Sequence, residues 1–589
     1  MTAATTSSAS GDFLGHPKGL YVCFATELWE RFSFYGMKYL LLLYLTKYHL
    51  FTDSAGYDVL GAYAGLVYAL PLIGGLLADR YLGMRKAVVF GALLLTAGHA
   101  TMAYEGFQAM TYAAGTTLAE AITLNDGTVL AAGTVLADDI VIQDVVALKV
   151  FFFALALITV GVGFLKPNIS TIVGKLYGEK DPRRDSGFTI FYMGINIGSF
   201  IATILCGWLG ETYGWSYGFG AAGIGMLLGL ITFLKYQHLL EGHAEPTEPA
   251  RLKETFIGPI NKEWAIYLGG LLSLALVWLL VQNEPVVHVA QNSLLIVAIV
   301  GIILFSMTHQ EHKGTDWLAM GLALVTMAVG LVWAFTDIDT WLGLMLLGLV
   351  AFIGYGFKTH NSHEYGRTVV LMILITSTIV FWSLFEQSAG SMTLYADRVL
   401  DRNMGDTEIR ASMFGSLNAG FIMLFAIPFA ALWVWLAKRG WEPSTPVKFG
   451  LGIMQAGLGF GALVLGAQFA DDAGKVAMIW LVLAYLLHTT GELCLSPVGL
   501  SAVTKLSIGK VVGVSMGTWF LATALSETVA TRIGKMAAID TSGAESADAM
   551  SLLTTYTSLY EFLMWVGLGV GLFMIVISPI LKKGMHGIK

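Results

Sequence analysis

Apolar residues run along this chain in blocks of about 20, broken by short polar turns, as at 87–102, 264–281, 317–335 and 562–579. A helix rises about 1.5 Å per residue, so such blocks match the roughly 30 Å hydrocarbon core of a bilayer. No barrel-type alternation of period two is visible. The pattern predicts sixteen membrane-spanning helices, near 20–46, 58–79, 87–104, 148–171, 187–209, 216–236, 263–282, 290–307, 316–335, 341–357, 368–396, 411–437, 448–468, 476–502, 511–531 and 557–580. Residues 1–12 are small and polar, with no basic region before an apolar core, so no cleavable signal peptide is expected.

The polar turns carry an orientation signal. Even-numbered connections hold Arg80, Arg85 and Lys86; then Lys175, Lys180, Arg183 and Arg184; then Arg251, Lys253 and Lys262. Lys313, Lys358, Arg367, Lys438, Arg439, Lys448, Lys505 and Lys510 continue the series. The long 105–147 connection instead contains acidic residues and no basic one up to Asp144. Cationic loops stay inside, so both termini are expected in the cytoplasm. Arg398, Arg402, Arg410, Arg532 and Lys535 break the pattern. The Ala-, Thr- and Gly-rich 105–147 stretch admits hairpins or amphipathic pieces.

Composition agrees with a membrane reading. The 589 residues are 56% hydrophobic and 13% charged, against about a quarter charged in soluble domains. Mean hydropathy is +0.69. The 68 glycines lie largely within the apolar blocks, where they let helices approach closely. Cys23, Cys206 and Cys494 are far apart and odd in number, which predicts packing roles and no disulfide framework. Basic residues are scattered and form no nucleic-acid patch. Pro246, Pro249 and Pro259, among charges at 239–262, mark a linker between a first six-helix bundle (1–238) and inserted helices (263–357, two to four of them). A second six-helix bundle (358–589) follows.

Several charges fall where lipid would reject them. In ELWERFSFYG, Glu27 and Arg31 are one helical turn apart, Glu30 lies beside Arg31, and Tyr35 and Lys38 extend the stripe. Lys166, Glu386 and Glu492 lie within later spans. Intramembrane charges face water or one another and mark transport paths. The plain alternative is a structural ion pair pinning the first helix. Three carboxylates on different helices, with several cations, suit proton uptake and a zwitterionic ligand. Tyr35, Tyr68, Trp382, Phe385 and Trp519 flank these charges, where ordinary packing is an even alternative. Asn196 and Asn418 either bind ligand or bridge helices.

GGLLADRYLGMRK joins spans two and three. Asp79 and Arg80 close one helix, Gly83 turns the chain, and Arg85 opens the next, the pattern of a conformational latch. No HExxH, GxxxxGK[ST] or CxxC occurs, and no nucleophile–base arrangement indicates an enzyme. His360 and His363 could suggest a metal, but a solvated loop fits them better. A channel would want repeated filter elements.

These stretches carry a resemblance. GGLLADRYLGMRK is similar to the loop motif of the major facilitator superfamily. ELWERFSFYG resembles the first-helix motif ExxERFxYYG of the proton-dependent oligopeptide transporter family. FYMGINIG, GFLKPNIS, FWSLFEQ, SLN and GELCLSP match its further stretches over nearly the whole chain. The resemblance implies an all-α polytopic membrane protein of the two-bundle major facilitator fold, with 6+6 core helices and inserted helices. It implies proton-coupled import of di- and tripeptides by alternating access, with protons as coupling ion and no cofactor or metal.

By the same resemblance, Glu27, Glu30 and Arg31 take part in proton coupling, and Lys166 pairs with Glu386 in a salt-bridge switch next to substrate. Glu492 with Asn418 receives the peptide amino end, and Lys38 the carboxylate. Tyr35, Tyr68, Asn196 and Trp519 line the cavity, with Trp382 among the binding aromatics. Lys38 stands where arginine is common, Phe34 where tyrosine is, and Ala419 where proline is frequent. Four inserted helices exceed the usual two. The chain is expected to work as a monomer in a bacterial inner membrane, contacting lipid and no nucleic acid. The rival is a carrier of nitrate or an amino acid conjugate; Glu492 with Asn418 argues for peptides.

Overall fold

The computed structural model describes residues 12–178, 181–246, 248–309, 316–360, 362–538 and 548–588. Lys180, Lys313 and the polar stretch before Asp12 lie outside them. Long helices dominate: α1 (Lys18–Lys47), α2 (Asp53–Leu77), α3 (Met84–Met102), α4 (Val145–Lys175), α5 (Arg184–Tyr213), α6 (Trp215–Tyr236), α7 (Lys262–Val281) and α8 (Glu284–Thr308). Then come α9 (Trp317–Thr336), α10 (Asp339–Thr359), α11 (His363–Phe385), α12 (Ser416–Lys438), α13 (Thr445–Ala467), α14 (Ile479–Leu506), α15 (Val512–Gly534) and α16 (Ala549–Gly584). Among the described residues thirteen helices are long and apolar enough to cross a membrane. The other three long ones are α1, α3 and α15, whose charged and small polar residues dilute their hydropathy. Each expected span coincides with one of these helices.

Local chemistry sets several ends. Asp144 caps α4, its carboxylate accepting from the Val146 and Ala147 amides at 3.0 and 2.9 Å. Asp316 caps α9 and Ser362 caps α11 in the same way. Interior prolines at 71, 167, 428, 497 and 579 stay within helices, which membrane helices tolerate because neighbours re-satisfy the freed carbonyls.

The helices form two compact units. The first holds the described chain up to Leu50, Leu70–Val281 and Ser412–Gly420. Its α1 packs on α5 and α6, α3 on α4, and α7 on α4. Gly91 and Gly161 bring α3 and α4 into backbone contact: a Cβ at Gly91 would lie 2.5 Å from the Gly161 carbonyl. The second unit holds Phe51–Ala69, Gln282–Ala411 and Phe421–Lys589. There α13 packs on α14 and α16, α11 on α15, and α8 on α15, α11 and α9. A Cβ at Gly567 would meet Gly457 Cα at 2.6 Å. The units follow packing, not chain order: α2 is divided between them, and the inserted helices part at Val281.

The 105–147 connection is a β-hairpin. Met110–Tyr112 pairs antiparallel with Ile140–Ile142, Thr117 with Val135, and Ile122–Thr123 with Val129–Leu130, all in one register. Its tip is Asn125-Asp126-Gly127-Thr128, with Gly127 at φ 89°. The sequence held an unread signal here: Ala-Ala-Gly-Thr-x-Leu-Ala stands at 113–119 and again at 131–137. The two copies face each other, the Gly115 amide donating to the Leu136 carbonyl and Gly133 to Leu118, each at 2.8 Å.

Candidate functional site

The charged stripe of α1 is buried in the first unit. Glu27, Glu30, Arg31 and Lys38 are each at most 4% exposed. Arg31 Nε lies 3.1 Å from Glu27 Oε1 and pairs still more closely with Glu30. Lys166 of α4 is near enough to feel Arg31, Glu30, Glu27 and Lys38 electrostatically. Phe34 lies between two cations, its ring centroid 5.3 Å from Arg31 Cζ and 5.8 Å from Lys38 Nζ. The ring face attracts both, which gives a physical role to the position where tyrosine was expected.

The stripe is held close by the glycines of FYMGINIG. A Cβ at Gly194 would touch Phe24, and one at Gly198 would collide with the Leu28 carbonyl. Larger residues there would push α5 off α1. Asn196, on the same helix, donates its amide to the Tyr192 carbonyl at 3.0 Å. One of its two amide N–H groups is spent within α5, and the other, with the amide oxygen, is left for a ligand or a neighbouring helix. Tyr35 is half-buried and stacks with Tyr39 at 6.4 Å. Asn418 also belongs to this unit, near the place where Gly415 abuts the Tyr39 ring and Ser412 bonds Glu211.

Tyr68, Trp382, Glu386, Glu492 and Trp519 belong to the second unit. Glu386 stands where α11 gives way to a 3₁₀ turn, Glu386–Ser388. Trp382 packs edge-on against Phe381 and Phe385. Its buried Nε1 has no acceptor among the described residues. Glu492 is 9% exposed on α14, beside the close approach of Gly491 to Gly452. Trp519 is buried against Gly499.

In the loop motif, Asp79 and Arg80 lie in a π-helical turn, Ala78–Leu82, that extends α2. Both are exposed and form no ion pair among the described residues. Arg85 bonds Glu245 and, at 3.0 Å, Gln237. Gly83 has φ 77° and ψ 149°, and a Cβ there would lie 2.6 Å from Pro246 N.

His360 is a correction: it is 5% exposed and lies 2.7 Å from Asp316, not in a solvated loop. Tyr355 donates to the same carboxylate at 3.0 Å. His363 stacks on His586. The charge exceptions also find partners. Arg398 is bidentate to Asp53 at 2.6 and 2.7 Å and reaches Tyr556. Arg402 and Arg410 both pair with Glu408. Arg532 pairs with Glu284 and Asp337, and Lys535 with Asp58.

Membrane-length helices with carboxylates and cations buried among them define a polytopic membrane carrier. A sequence model of the POT family matches residues 85–244 and 337–548. A peptide transporter of Yersinia enterocolitica is 32% identical over 94% of this chain and 93% of its own. A di-/tripeptide transporter of Lactococcus lactis is 31% identical over 97% of both. Among solved structures, a POT peptide transporter in complex with alafosfalin has TM-score 0.70 at 30% identity, covering 98% and 97% of the two chains. A POT transporter in complex with 5-aminolevulinic acid has TM-score 0.69 at 25% identity, covering 97% and 98%. The chain belongs to the POT family.

Proposed function

We propose that this chain is a proton-coupled symporter importing di- and tripeptides by alternating access. The observation that carries the reading is the buried set Glu27, Glu30, Arg31 and Lys38 on α1, with the half-buried Lys166 of α4 beside it. With every member ionised it holds three positive and two negative charges. A peptide carboxylate supplies the missing negative charge, and protonation of a glutamate restores the excess. One cluster thus links proton and substrate through the cost of leaving charge unbalanced in a low dielectric. Lys38 takes the carboxylate, and Glu492 with Asn418 takes the ammonium group. Glu386 competes for Lys166 as the switch. Tyr35, Tyr68, Asn196, Trp382 and Trp519 shape the cavity, and Trp382 Nε1 offers an unspent donor. Relatives at around 30% identity that are peptide transporters support this choice of substrate.

The 1–238 and 358–589 segments act as the transport bundles, 239–262 as a cytoplasmic linker, and 263–357 as the insertion. Asp79, Arg80, Gly83 and Arg85 act as the latch. Both termini face the cytoplasm, protons are the coupling ion without metal or organic cofactor, and one chain is the working unit. A second reading is a different small zwitterion, favoured by the relative solved with 5-aminolevulinic acid.

Uptake of labelled dialanine into proteoliposomes, with and without an inward proton gradient, tests the function. Glu27→Gln is expected to abolish gradient-driven uptake and leave counterflow exchange. Glu492→Gln is expected to weaken a free-amine dipeptide and leave its N-acetyl analogue nearly unchanged. Full gradient stimulation in the first variant, or an intact amine preference in the second, overturns the corresponding role.

A further inference from the structure

The inserted helix α8 presents a polar face to protein. Glu284, His288, Gln291 and Asn292 are between 2% and 6% exposed, and α8 packs on α15 and α11. A helix that merely filled lipid would carry apolar residues at these positions, since each buried polar group needs a partner.

The partners form a chain with one direction. Asn292 Nδ2 lies 2.8 Å from His288 Nε2. The amide nitrogen donates, so Nε2 accepts and the imidazole proton sits on Nδ1. Nδ1 is 3.2 Å from Thr528 Oγ1 of α15 and donates to it. The threonine hydroxyl shares its one proton between Gln291 Oε1 and the Leu525 carbonyl of its own helix, each at 3.0 Å. Two sides of one α8 turn thereby grip one residue of α15. One turn further along each helix, Glu284 and Arg532 pair at 3.0 Å. The grip also reaches α2: a Cβ at Gly65 would lie 2.5 Å from Gln291 Nε2, and Gly61 abuts the Thr531 hydroxyl. Arg532 and Asp337 act on His288 electrostatically, while the neutral tautomer alone completes the chain as drawn.

We propose that His288 is a positioning residue for transport: through Thr528 it fixes the rotation and register of α15, so that the inserted helix is a working part of the carrier. The inference rests on the reading of α15 as the helix that brings Trp519 to the substrate. The link that matters runs from Nδ1 to the neighbouring helix, because Asn292 is on α8 itself.

The two nitrogens can be tested separately. An asparagine amide reaches the place of Nδ1, and a glutamine amide that of Nε2. His288→Leu, His288→Asn and His288→Gln in the full chain are compared in proteoliposomes, with rates normalised to monodisperse protein. For His288→Leu, exchange at saturating dialanine is expected to fall about tenfold, the scale of a small misplacement of a binding helix. His288→Asn is expected to return to within about threefold of wild type, since it restores one hydrogen bond, with the wild-type pH profile. His288→Gln is expected to stay with the leucine variant. A leucine variant at the wild-type rate, or equal rescue by Gln and Asn, overturns the proposal. So does loss of pH dependence in His288→Asn with exchange intact, because His288 would then carry the proton. Failure of the wild-type chain to take up dialanine would instead refute the substrate reading.

Discussion

The pair Asp53–Arg398 is the most exacting electrostatic contact in the second unit. Asp53 opens α2 and its side chain is fully buried, while that of Arg398 is 14% exposed. Two nitrogens of the guanidinium meet two carboxylate oxygens at 2.6 and 2.7 Å, and the Tyr556 hydroxyl lies 3.2 Å from the same guanidinium. Asp53→Asn keeps the shape and removes the charge. The guanidinium is then left nearly buried without its counter-ion. Breaking such a pair costs about 3–5 kcal/mol, whereas an exposed pair would cost about 1 kcal/mol or less. Arg398→Gln takes the guanidinium away from a fully buried carboxylate and is expected to cost a similar amount. The double variant Asp53→Asn/Arg398→Gln leaves no orphan charge, so its loss should fall well short of the sum of the singles. The assay is reversible denaturant unfolding in mixed micelles, read as a double-mutant cycle. A coupling energy below about 1 kcal/mol would refute the reasoning and place the pair with surface contacts.

Three further outcomes are expected. Lys38→Ala should weaken transport of a normal dipeptide far more than of its C-terminal amide, while Lys38→Arg retains binding; equal losses in a competition assay would remove Lys38 from the carboxylate site. Gly83→Ala should cost about 2 kcal/mol, because a left-handed extended backbone is strained for any residue with a Cβ and Pro246 blocks the space; unfolding midpoints equal to wild type would contradict this. His49, buried in the turn after α1, is held down to about 4 from 6.5 by burial, against the pull of Asp144. The unfolded chain therefore binds more protons between pH 6.5 and pH 4, and stability falls as pH drops through that window. His49→Gln should flatten the midpoint-against-pH curve there, and an unchanged slope would show that His49 is not the cause.

Helix existence was legible because it depends on length and local apolarity, which each stretch carries by itself. Pairing was not. Asp53 and Arg398 are 345 residues apart, and neither letter names the other. Gln291 and Asn292 open a block that reads as one more apolar span, His288 lies just before its expected start at 290, and their role depends on Thr528 of α15. At 105–147 a hairpin was one of two shapes left open, for a different reason. Its strands are only two or three residues long and are separated by stretches rich in Ala, Thr and Gly, so period-two alternation never builds up. The duplicated Ala-Ala-Gly-Thr signal is a repeat, visible only when the stretch is compared with itself. The stripe on α1 was legible as a stripe, since i,i+3 and i,i+4 spacing is local. What the residue pattern left open was that Phe34 serves two cations at once.

The loop cations that broke the orientation pattern illustrate how a count of letters departs from physics. The rule acts through cations that remain charged and accessible near the membrane. Arg398, Arg402, Arg410, Arg532 and Lys535 each face a carboxylate: Asp53, Glu408, Glu408 again, Glu284 with Asp337, and Asp58. Such pairs have little net field beyond a Debye length of roughly 8 Å at physiological salt. Pairing alone does not set them apart, since Arg85, Lys86, Arg183 and Lys448, which follow the pattern, also face carboxylates; what differs is that the partners Asp53 and Glu284 are buried. Three of these pairs also tie the start of α2, through Asp53 and Asp58, and the start of α8, through Glu284, into the second unit. Arg398, Arg532 and Lys535, which look like topological errors in the sequence, are thus in the fold the bonds that hold α2 and α8 within that unit, while Arg402 and Arg410 pair inside their own loop.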